Sequence, residues 1–563
     1  MGPIGSRPIG LIGPMSPIRE RSAARRPPCQ AKIANWLAYT IPGLTSVPET
    51  NEMPLKKFCK FRRLRHLTLM NIVGQFPNIS DALMDRALSR VADFNRFREE
   101  GLICRSGDFF PSVHYPPITM YDEVDEKKLF EDYSLPADGK LDVYAHIPFC
   151  KQRCIFCHYP VMLGKKEAEM DQYLGAMEKE MDIYMRRLGV DQIKVRSILI
   201  GGGTPSYLSP AQLKRFLDFF TKRLDMSACD QFNWDVDPST LVGPVGLERL
   251  KILRDYGSDR LTLGIQSLDE RVLEIMNRPH DKAVALEAIR NSQEHGYQVN
   301  IEFIFGHPGE TLENWVDVMR EAVTLGTEEI QLYRLKVEAY GDYQGPIKNY
   351  LNKRPDEAVP HEEQILMKQL AIDILAENGY HENLRRVYTK ERQHFSCYAE
   401  NQCCKLYDEV GFGLTAFSSL RDRFVLNSQT FGEYYQHIEE GRMPLNRGLK
   451  RDRDQQLRWA IVLPIKNRDV YKSTFTAATN GESIENVFRP KIERLKAYGL
   501  LREDEVSLGL TQLGAFFADE VAQQFHSDDY IPYPRAEYAD GPLNPYLDTD
   551  PYAATDEPAL AVS

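Results

Sequence analysis

No stretch of this chain keeps about 18 apolar residues together, which excludes a membrane-spanning helix. Cysteine is scarce, 10 in 563 residues, too few for a secreted scaffold held by disulfides. No repeat with a period of about 20–50 residues occurs, so stacked-repeat architectures are excluded. There is no excess of positive charge either. The 70 Lys and Arg stand against 81 Asp and Glu, a net charge of −11, which argues against nonspecific nucleic-acid binding. What is present, 42% hydrophobic and 27% charged residues, is ordinary for a globular protein and excludes a wholly disordered or collagen-like chain.

Both ends differ from the middle. Residues 1–54 are rich in Pro, Gly, Ser and Arg, and Glu20 is the only acid before Glu49. Such a segment buries too little apolar surface to offset its ordering entropy, so a disordered basic tail is expected. Its Arg-rich, acid-poor composition also suits a transit peptide, and Met1-Gly2 followed by Ser6 suits N-myristoylation. It has no apolar core of a secretory signal, and a cytoplasmic location is expected. Residues 55–138 read as a helical extension, with Ser80 capping a helix that begins at Asp81. Residues 526–563 are rich in Pro, Tyr and Asp, with Arg535 the only strong base, and read as an acidic extended tail.

Between these ends strand and helix patterns alternate. Strands are expected over Leu141–Ile147, Val195–Ile200, Gln231–Val236, Arg260–Ile265, Gln298–Phe305 and Glu329–Leu335. Helices are expected over Lys165–Leu188, Ser209–Leu224, Val245–Tyr256, Asp281–Glu294 and Leu312–Leu325. Six successive βα units imply an α/β fold with a parallel sheet and right-handed crossovers. Polar and glycine-rich motifs fall just after the strand C-termini, where such folds place their sites.

The strongest chemical signal is Cys150-x3-Cys154-x2-Cys157 on the loop after the first strand. Three thiolates at this spacing can hold one corner of a [4Fe-4S] cubane, which normally takes four Cys ligands, leaving one iron open. Zinc is the competing occupant, although its structural sites usually pair CxxC units or add His. His158 follows Cys157 directly and cannot easily turn onto the same metal.

The run Tyr144-Ala-His146-Ile-Pro148-Phe-Cys150-x3-Cys154-x2-Cys157 closely resembles the radical S-adenosylmethionine (radical SAM) enzymes, in their oxygen-independent coproporphyrinogen III dehydrogenase-like branch. Further motifs resemble the same branch in the same order. They are Gly201-Gly202-Gly203-Thr204-Pro205, Asp235-Val-Asp237-Pro238, Arg260-Leu-Thr-Leu-Gly264-Ile-Gln266 with Asn277-Arg278, Glu302-Phe-Ile-Phe-Gly306, and Gly411-Phe-Gly413. Taken singly, the glycine run reads as a tight turn, and Asp235 or Glu302 as a cap or salt bridge. Five motifs in order, over residues 140 to 430, make chance agreement improbable.

The resemblance implies a six-unit partial (β/α)6 barrel over 139–375, a post-barrel segment over 376–450 and a small, mostly helical, winged-helix-like C-terminal domain over 451–525. It implies Cys150, Cys154 and Cys157 as ligands of a [4Fe-4S] cluster that cleaves S-adenosylmethionine to a 5′-deoxyadenosyl radical. Tyr144 is grouped with the cysteines as catalytic. Two S-adenosylmethionines are implied, the first at Tyr144, Gly202 and Asp235. The second falls at Phe156, Gly203, Thr204, Gln266, Arg278 and Glu302. Asp235 can accept from the ammonium, Glu302 from ribose hydroxyls, and Gln266 and Arg278 can bind polar or carboxylate ends. A flavodoxin- or ferredoxin-type electron donor and a small-molecule substrate are the implied partners.

Relative to the branch, the carboxylates at 235 and 302 have exchanged lengths. Tyr159 stands where the decarboxylating enzyme carries a further cysteine. Cys403-Cys404-Lys-Leu-Tyr407 stands where the heme chaperones carry a His-Asn pair. Cys397, Cys403 and Cys404 read as ordinary buried or loop cysteines, with an auxiliary cluster the sharper reading. The expected reaction is radical C-methylation or cyclopropanation of a small molecule. Coproporphyrinogen decarboxylation, heme ring opening and heme chaperoning are the alternatives.

Overall fold

The computed structural model describes residues 77–548 apart from Asp125 and Tyr340. The basic tail, the extension before residue 77 and the acidic tail beyond 548 lie outside the described residues. Helix α1, Asp81–Glu99, begins where expected, with the Ser80 hydroxyl accepting from the Leu83 amide.

The expected βα alternation follows. Its strands are β1 (Lys140–Ile147), β2 (Ile193–Gly202), β3 (Gln231–Val236), β4 (Arg260–Gln266), β5 (Gln298–Phe305) and β6 (Glu329–Arg334). They lie side by side in chain order, and every neighbouring pair is parallel. Between them run α2 (Glu167–Leu188), α3 (Pro210–Lys222), α4 (Gly243–Asp255), α5 (Lys282–Glu294) and α6 (Leu312–Ala322). Alternate residues of the strands are fully buried, among them Val143, Ile198, Ile200, Leu261, Leu263, Val299 and Ile301. The opposite face of β1, β3, β5 and β6 carries Tyr144, Asp235, Glu302 and Tyr333, which keep part of their surface accessible. That inner face holds the polar groups.

The sheet extends beyond these units at both edges. Helix α7, His361–Glu377, is followed by the hairpin β7 (His381–Leu384) and β8 (Val387–Thr389), and β8 pairs antiparallel with β6. At the other edge β9 (Glu409–Phe412) joins β1 in parallel, then β10 (Phe417–Leu420), β11 (Arg423–Asn427) and β12 (Leu445–Lys450) follow antiparallel. The post-barrel segment is therefore largely strand.

Glu180 of α2 fastens this edge. Fully buried, it accepts from the Gly413 amide at 2.8 Å, Asn427 Nδ2 at 2.7 Å and the Tyr434 hydroxyl at 2.6 Å. Glu180→Leu removes the acceptor of three buried donors and is expected to cost about 3 kcal/mol or more of unfolding free energy, with Glu180→Gln costing less. Denaturant melts of the two variants check this. Equal, near-native stability would show that the carboxylate is not an anchor.

The small C-terminal domain contains α8 (Arg453–Asn467), α9 (Ile484–Ala497) and a three-stranded ribbon of Asp469–Tyr471, Leu501–Glu503 and Ser507–Leu510. Helix α10, Ala518–Gln523, follows. Residues 526–548 are irregular, as an extended tail should be, but they are packed rather than free. Leu543 and Asn544 are buried, and Leu543 donates its amide to the Glu100 carbonyl at 2.9 Å. Its Pro, Tyr and Asp content hid three buried anchors, Ile531, Tyr538 and Leu543. Cys403 and Cys404 lie on a π-helical turn, Asn401–Lys405. Cys404 packs against Leu384 and Val387, as a buried thiol does.

Candidate active site

The three cysteines follow β1 directly. Cys150 ends a two-residue strand that pairs with Met162–Leu163, and Cys154 and Cys157 lie on the enclosed loop. Backbone contacts give this loop its shape. Ile155 donates to the Met276 carbonyl at 3.1 Å, Gln152 Nε2 to the Asn277 carbonyl at 2.9 Å, and Asn277 Nδ2 to the Arg153 carbonyl at 2.7 Å. Asn277 does this from a left-handed backbone, φ 56°, that asparagine tolerates better than most residues. Its role as a clamp on the cysteine loop was not read from the sequence.

Arg278 links the thiols to the strand ends. Its Nη1 lies 3.0 Å from Cys154 Sγ, and its Nη2 2.7 Å from Asp237 Oδ2. Burial alone would raise the Asp237 carboxyl, but Arg278 and His280 hold it well below the usual carboxylate range. Cys150 Sγ lies 3.4 Å from Thr204 Oγ1. Burial, and then the neighbouring thiols, push Cys150 up to about 12, so without a cation this sulfur is protonated. A bound metal centre removes such protons. Both nitrogens of His158 are taken by backbone, the Lys336 carbonyl and the Gly345 amide, each at 2.9 Å, so it is not a ligand.

The glycines keep the strand ends close together. A Cβ at Gly203 would stand 2.7 Å from the Pro148 carbonyl carbon, and one at Gly202, φ 114°, 2.8 Å from the His146 ring. A Cβ at Gly201 would meet Asp235 Oδ2 at 2.8 Å and Tyr144 Cε2 at 3.2 Å, so Tyr144 and Asp235 face each other across that glycine. Tyr144 also hydrogen-bonds His146 Nδ1 at 2.9 Å. Burial lifts Asp235 to about 6. Glu302 is lifted to about 7 by burial and then by the charge of Asp235, and it accepts from the Tyr333 hydroxyl at 3.2 Å.

Gln266 ends β4 in a left-handed conformation, φ 71°, after a register shift at Gly264. A strained non-glycine residue at a strand end marks a functional position. The Oε1 of Gln266 and the Nε of Arg278 are buried without hydrogen-bond partners, as groups awaiting a ligand are. Phe156 stands apart from this polar set. It packs beside Ile304 and Leu335 and meets the His307 ring edge-on, a wall rather than a polar contact. Beneath the site, and unread from the sequence, Arg260 and Glu329 form a fully buried bidentate pair at 2.8 and 2.6 Å.

The site residues suit a [4Fe-4S] cluster and S-adenosylmethionine. Three thiols sit on one short loop, orphaned donor and acceptor atoms lie beside them, and glycines stand where a side chain would block approach. Among the described residues no three His, Cys, Asp or Glu side chains stand ready-made around a single metal ion. Among the described residues no helix is long and apolar enough to cross a membrane.

Comparisons with known proteins agree with this geometry. Residues 144–322 match the family model of the radical SAM superfamily. The chain is 27% identical over 388 residues to the heme chaperone HemW of Bacillus subtilis, covering 68% of this chain and 98% of that protein. It is 25% identical over 421 residues to the oxygen-independent coproporphyrinogen III oxidase of Pseudomonas aeruginosa, covering 71% and 88%. Among solved structures, the coproporphyrinogen III oxidase HemN of Escherichia coli superposes with a TM-score of 0.61 at 22% identity, over 72% of this chain and 95% of that one. None of these relatives supports the C-methylation expected from the sequence. The motif set, the strand-end geometry and these matches make the chain similar to the radical SAM superfamily, and there to its oxygen-independent coproporphyrinogen III oxidase-like branch.

Proposed function

We propose that this enzyme acts on a tetrapyrrole, by radical oxidation of a coproporphyrinogen-type substrate. The observation that carries this reading is the extent of the likeness. It spans 88% of the Pseudomonas oxidase, and the Escherichia coli oxidase fold is matched over 95% of its length, well beyond the radical SAM segment at 144–322. A second reading, heme as ligand or as substrate for ring opening, is favoured by Tyr159. This tyrosine is half exposed where the decarboxylating enzyme carries a further cysteine.

In this account Cys150, Cys154 and Cys157 hold the cluster, within a partial barrel formed by the six βα units. The bound cluster and S-adenosylmethionine supply reductive cleavage to a 5′-deoxyadenosyl radical, with an external donor providing the electron. Tyr144, Gly202 and Asp235 hold one S-adenosylmethionine. Gly203, Thr204, Gln266, Arg278 and Glu302 hold a second, with Phe156 as its apolar wall. Arg278 ties this second set to the cluster loop by touching Cys154 and Asp237 at once. Gly201 lets Asp235 and Tyr144 approach together and fixes the carboxylate that receives a cationic group.

The carboxylates make a pH prediction. Asp235, raised from 3.8 to about 6, and Glu302, raised from 4.5 to about 7, ionise across the neutral range. Only the ionised forms attract a sulfonium or ammonium, so affinity for S-adenosylmethionine should rise several-fold from about pH 5.5 to 7.5. Stability of the ligand-free chain runs the other way. Each folded value exceeds its unfolded one, so the contribution is complete below the unfolded value and lost as pH rises through the folded one. Equilibrium dialysis across this range checks the affinity, and a flat profile would contradict the assignment.

Mass spectrometry after anaerobic incubation with coproporphyrinogen III or heme tests the reading itself. Loss of carbon dioxide from coproporphyrinogen supports the first reading. Ring-opened heme, or heme retained without turnover, supports the second. Methyl label passing from S-adenosylmethionine into a non-tetrapyrrole acceptor would overturn both.

A further inference from the structure

Three segments from outside the βα units reach the side chains beside Asp235 and Glu302, at Tyr144 and Tyr333. The first is the irregular stretch 108–116 of the N-terminal extension. There His114 lies edge-on to Phe417, ring centroids 4.6 Å apart, and 4.7 Å from Phe424, while Phe417 stacks on Tyr144 at 6.0 Å. Among the described residues neither ring nitrogen of His114 has a hydrogen-bond partner, and the ring keeps some exposure. The second is the end of α8, where buried Lys466 donates to the Ser112 carbonyl, two residues before His114. The third is the turn between β7 and β8. Its Arg385 amide donates to the Asn467 carbonyl at 2.9 Å, beside Lys466, and its Arg386 guanidinium lies 5.6 Å from the Tyr333 ring centre. Tyr333 in turn reaches Glu302. A chain of neighbours thus runs from Tyr144 through Phe417 to His114, by way of Ser112 to Lys466, by way of Asn467 and Arg385 to Arg386, and on to Tyr333 and Glu302.

The charges in this set are segregated. One wall carries Asp235 and Glu302, suited to a cationic cofactor. The added segments are cationic. Arg385 and Arg386 share Asp519, and Lys466 has only a carbonyl oxygen as hydrogen-bond acceptor. With their neighbours Arg334 and Lys368, five cations meet the carboxyls of Asp108, Asp519, Glu382 and Glu520. Buried cations in excess of their partners are costly unless an anion completes them, and a planar guanidinium beside an ammonium suits a carboxylate.

We propose that Lys466, Arg386 and His114 form a carboxylate-recognition site that holds an acidic substituent of the substrate against the S-adenosylmethionine wall. Lys466 and Arg386 supply charge, and His114 supplies a neutral donor. The site rests on the tetrapyrrole reading for the identity of that substituent, a propionate side chain. It also gives the N-terminal extension and the small C-terminal domain a common role, since each contributes one of the three groups.

The test is equilibrium binding to the full chain of three probes: coproporphyrin III, its tetramethyl ester and glutarate. The wild-type chain is compared with Lys466→Met, Arg386→Gln and the charge-keeping Lys466→Arg. Coproporphyrin should bind at least about tenfold more weakly to Lys466→Met and Arg386→Gln, with affinity largely kept in Lys466→Arg. The ester should bind weakly to all four proteins. Tight ester binding, or coproporphyrin affinity unchanged in Lys466→Met, overturns the site while leaving the tetrapyrrole reading standing. Saturable glutarate binding that is lost in Lys466→Met, without porphyrin binding, keeps the site and overturns that reading. Loss of affinity in Lys466→Arg equal to that in Lys466→Met overturns charge recognition, and no binding of any probe overturns both.

Discussion

Replacing Cys150, Cys154 and Cys157 together with alanine is expected to leave a folded chain that retains no iron after anaerobic reconstitution and cleaves no S-adenosylmethionine. The fold should survive because backbone and amide groups shape the loop, through Ile155 to Met276, Gln152 to Asn277 and Asn277 to Arg153, rather than the thiols. Three small side chains are lost, only Cys150 of them fully buried, so the melting temperature should fall by only a few degrees. Replacing Cys397, Cys403 and Cys404 instead should leave iron content and cleavage in place. Cleavage persisting in the first triple variant would remove the chemical basis of the account. Iron lost on the second replacement would give those cysteines a ligand role after all.

The second large effect lies under the site. Glu329→Leu strands a fully buried guanidinium, because Arg260 would keep only Asn233 Oδ1 at 2.9 Å and the Thr262 hydroxyl at 2.9 Å as neutral partners. Removing one partner of such a pair costs about 3–5 kcal/mol. The consequence reaches the chemistry, since Arg260 already acts on Asp235 and would be left free to neutralise it. Asp235 should then titrate lower and attract a cationic ligand less. Unfolding free energy and S-adenosylmethionine affinity should therefore fall together. Lost stability with unchanged affinity would show that Asp235 is not the cation-binding group.

These two sites differ in how far the sequence disclosed them. The cysteine loop, Asp235, Gln266, Arg278 and Glu302 were legible because each lies in a strand, or in the connection after one, whose apolar, β-branched run is plain, and parallel strands bring these parts together. The Arg260–Glu329 pair was not, since its partners lie 69 residues apart and meet only through the order of the strands. Asn277 was read as part of a ligand-binding motif, whereas its amide clamps the cysteine loop. The strands after the βα units were missed because β9, β10 and β11 are only four or five residues long. Cys403 and Cys404 lie on a π-helical turn that two adjacent thiols, which carry no periodicity, do not announce. His114 gave no signal, because its segment has neither helical nor alternating pattern and gains meaning only against Phe417 and Lys466.

The most direct test of the central claim is formation of 5′-deoxyadenosine by the anaerobically reconstituted chain with a chemical reductant, followed with and without a tetrapyrrole. The account predicts cleavage that requires Cys150, Cys154 and Cys157 and is altered in rate by coproporphyrinogen or heme. Cleavage indifferent to both tetrapyrroles would contradict the substrate class, and no cleavage by a chain carrying a full cluster would contradict the radical chemistry itself.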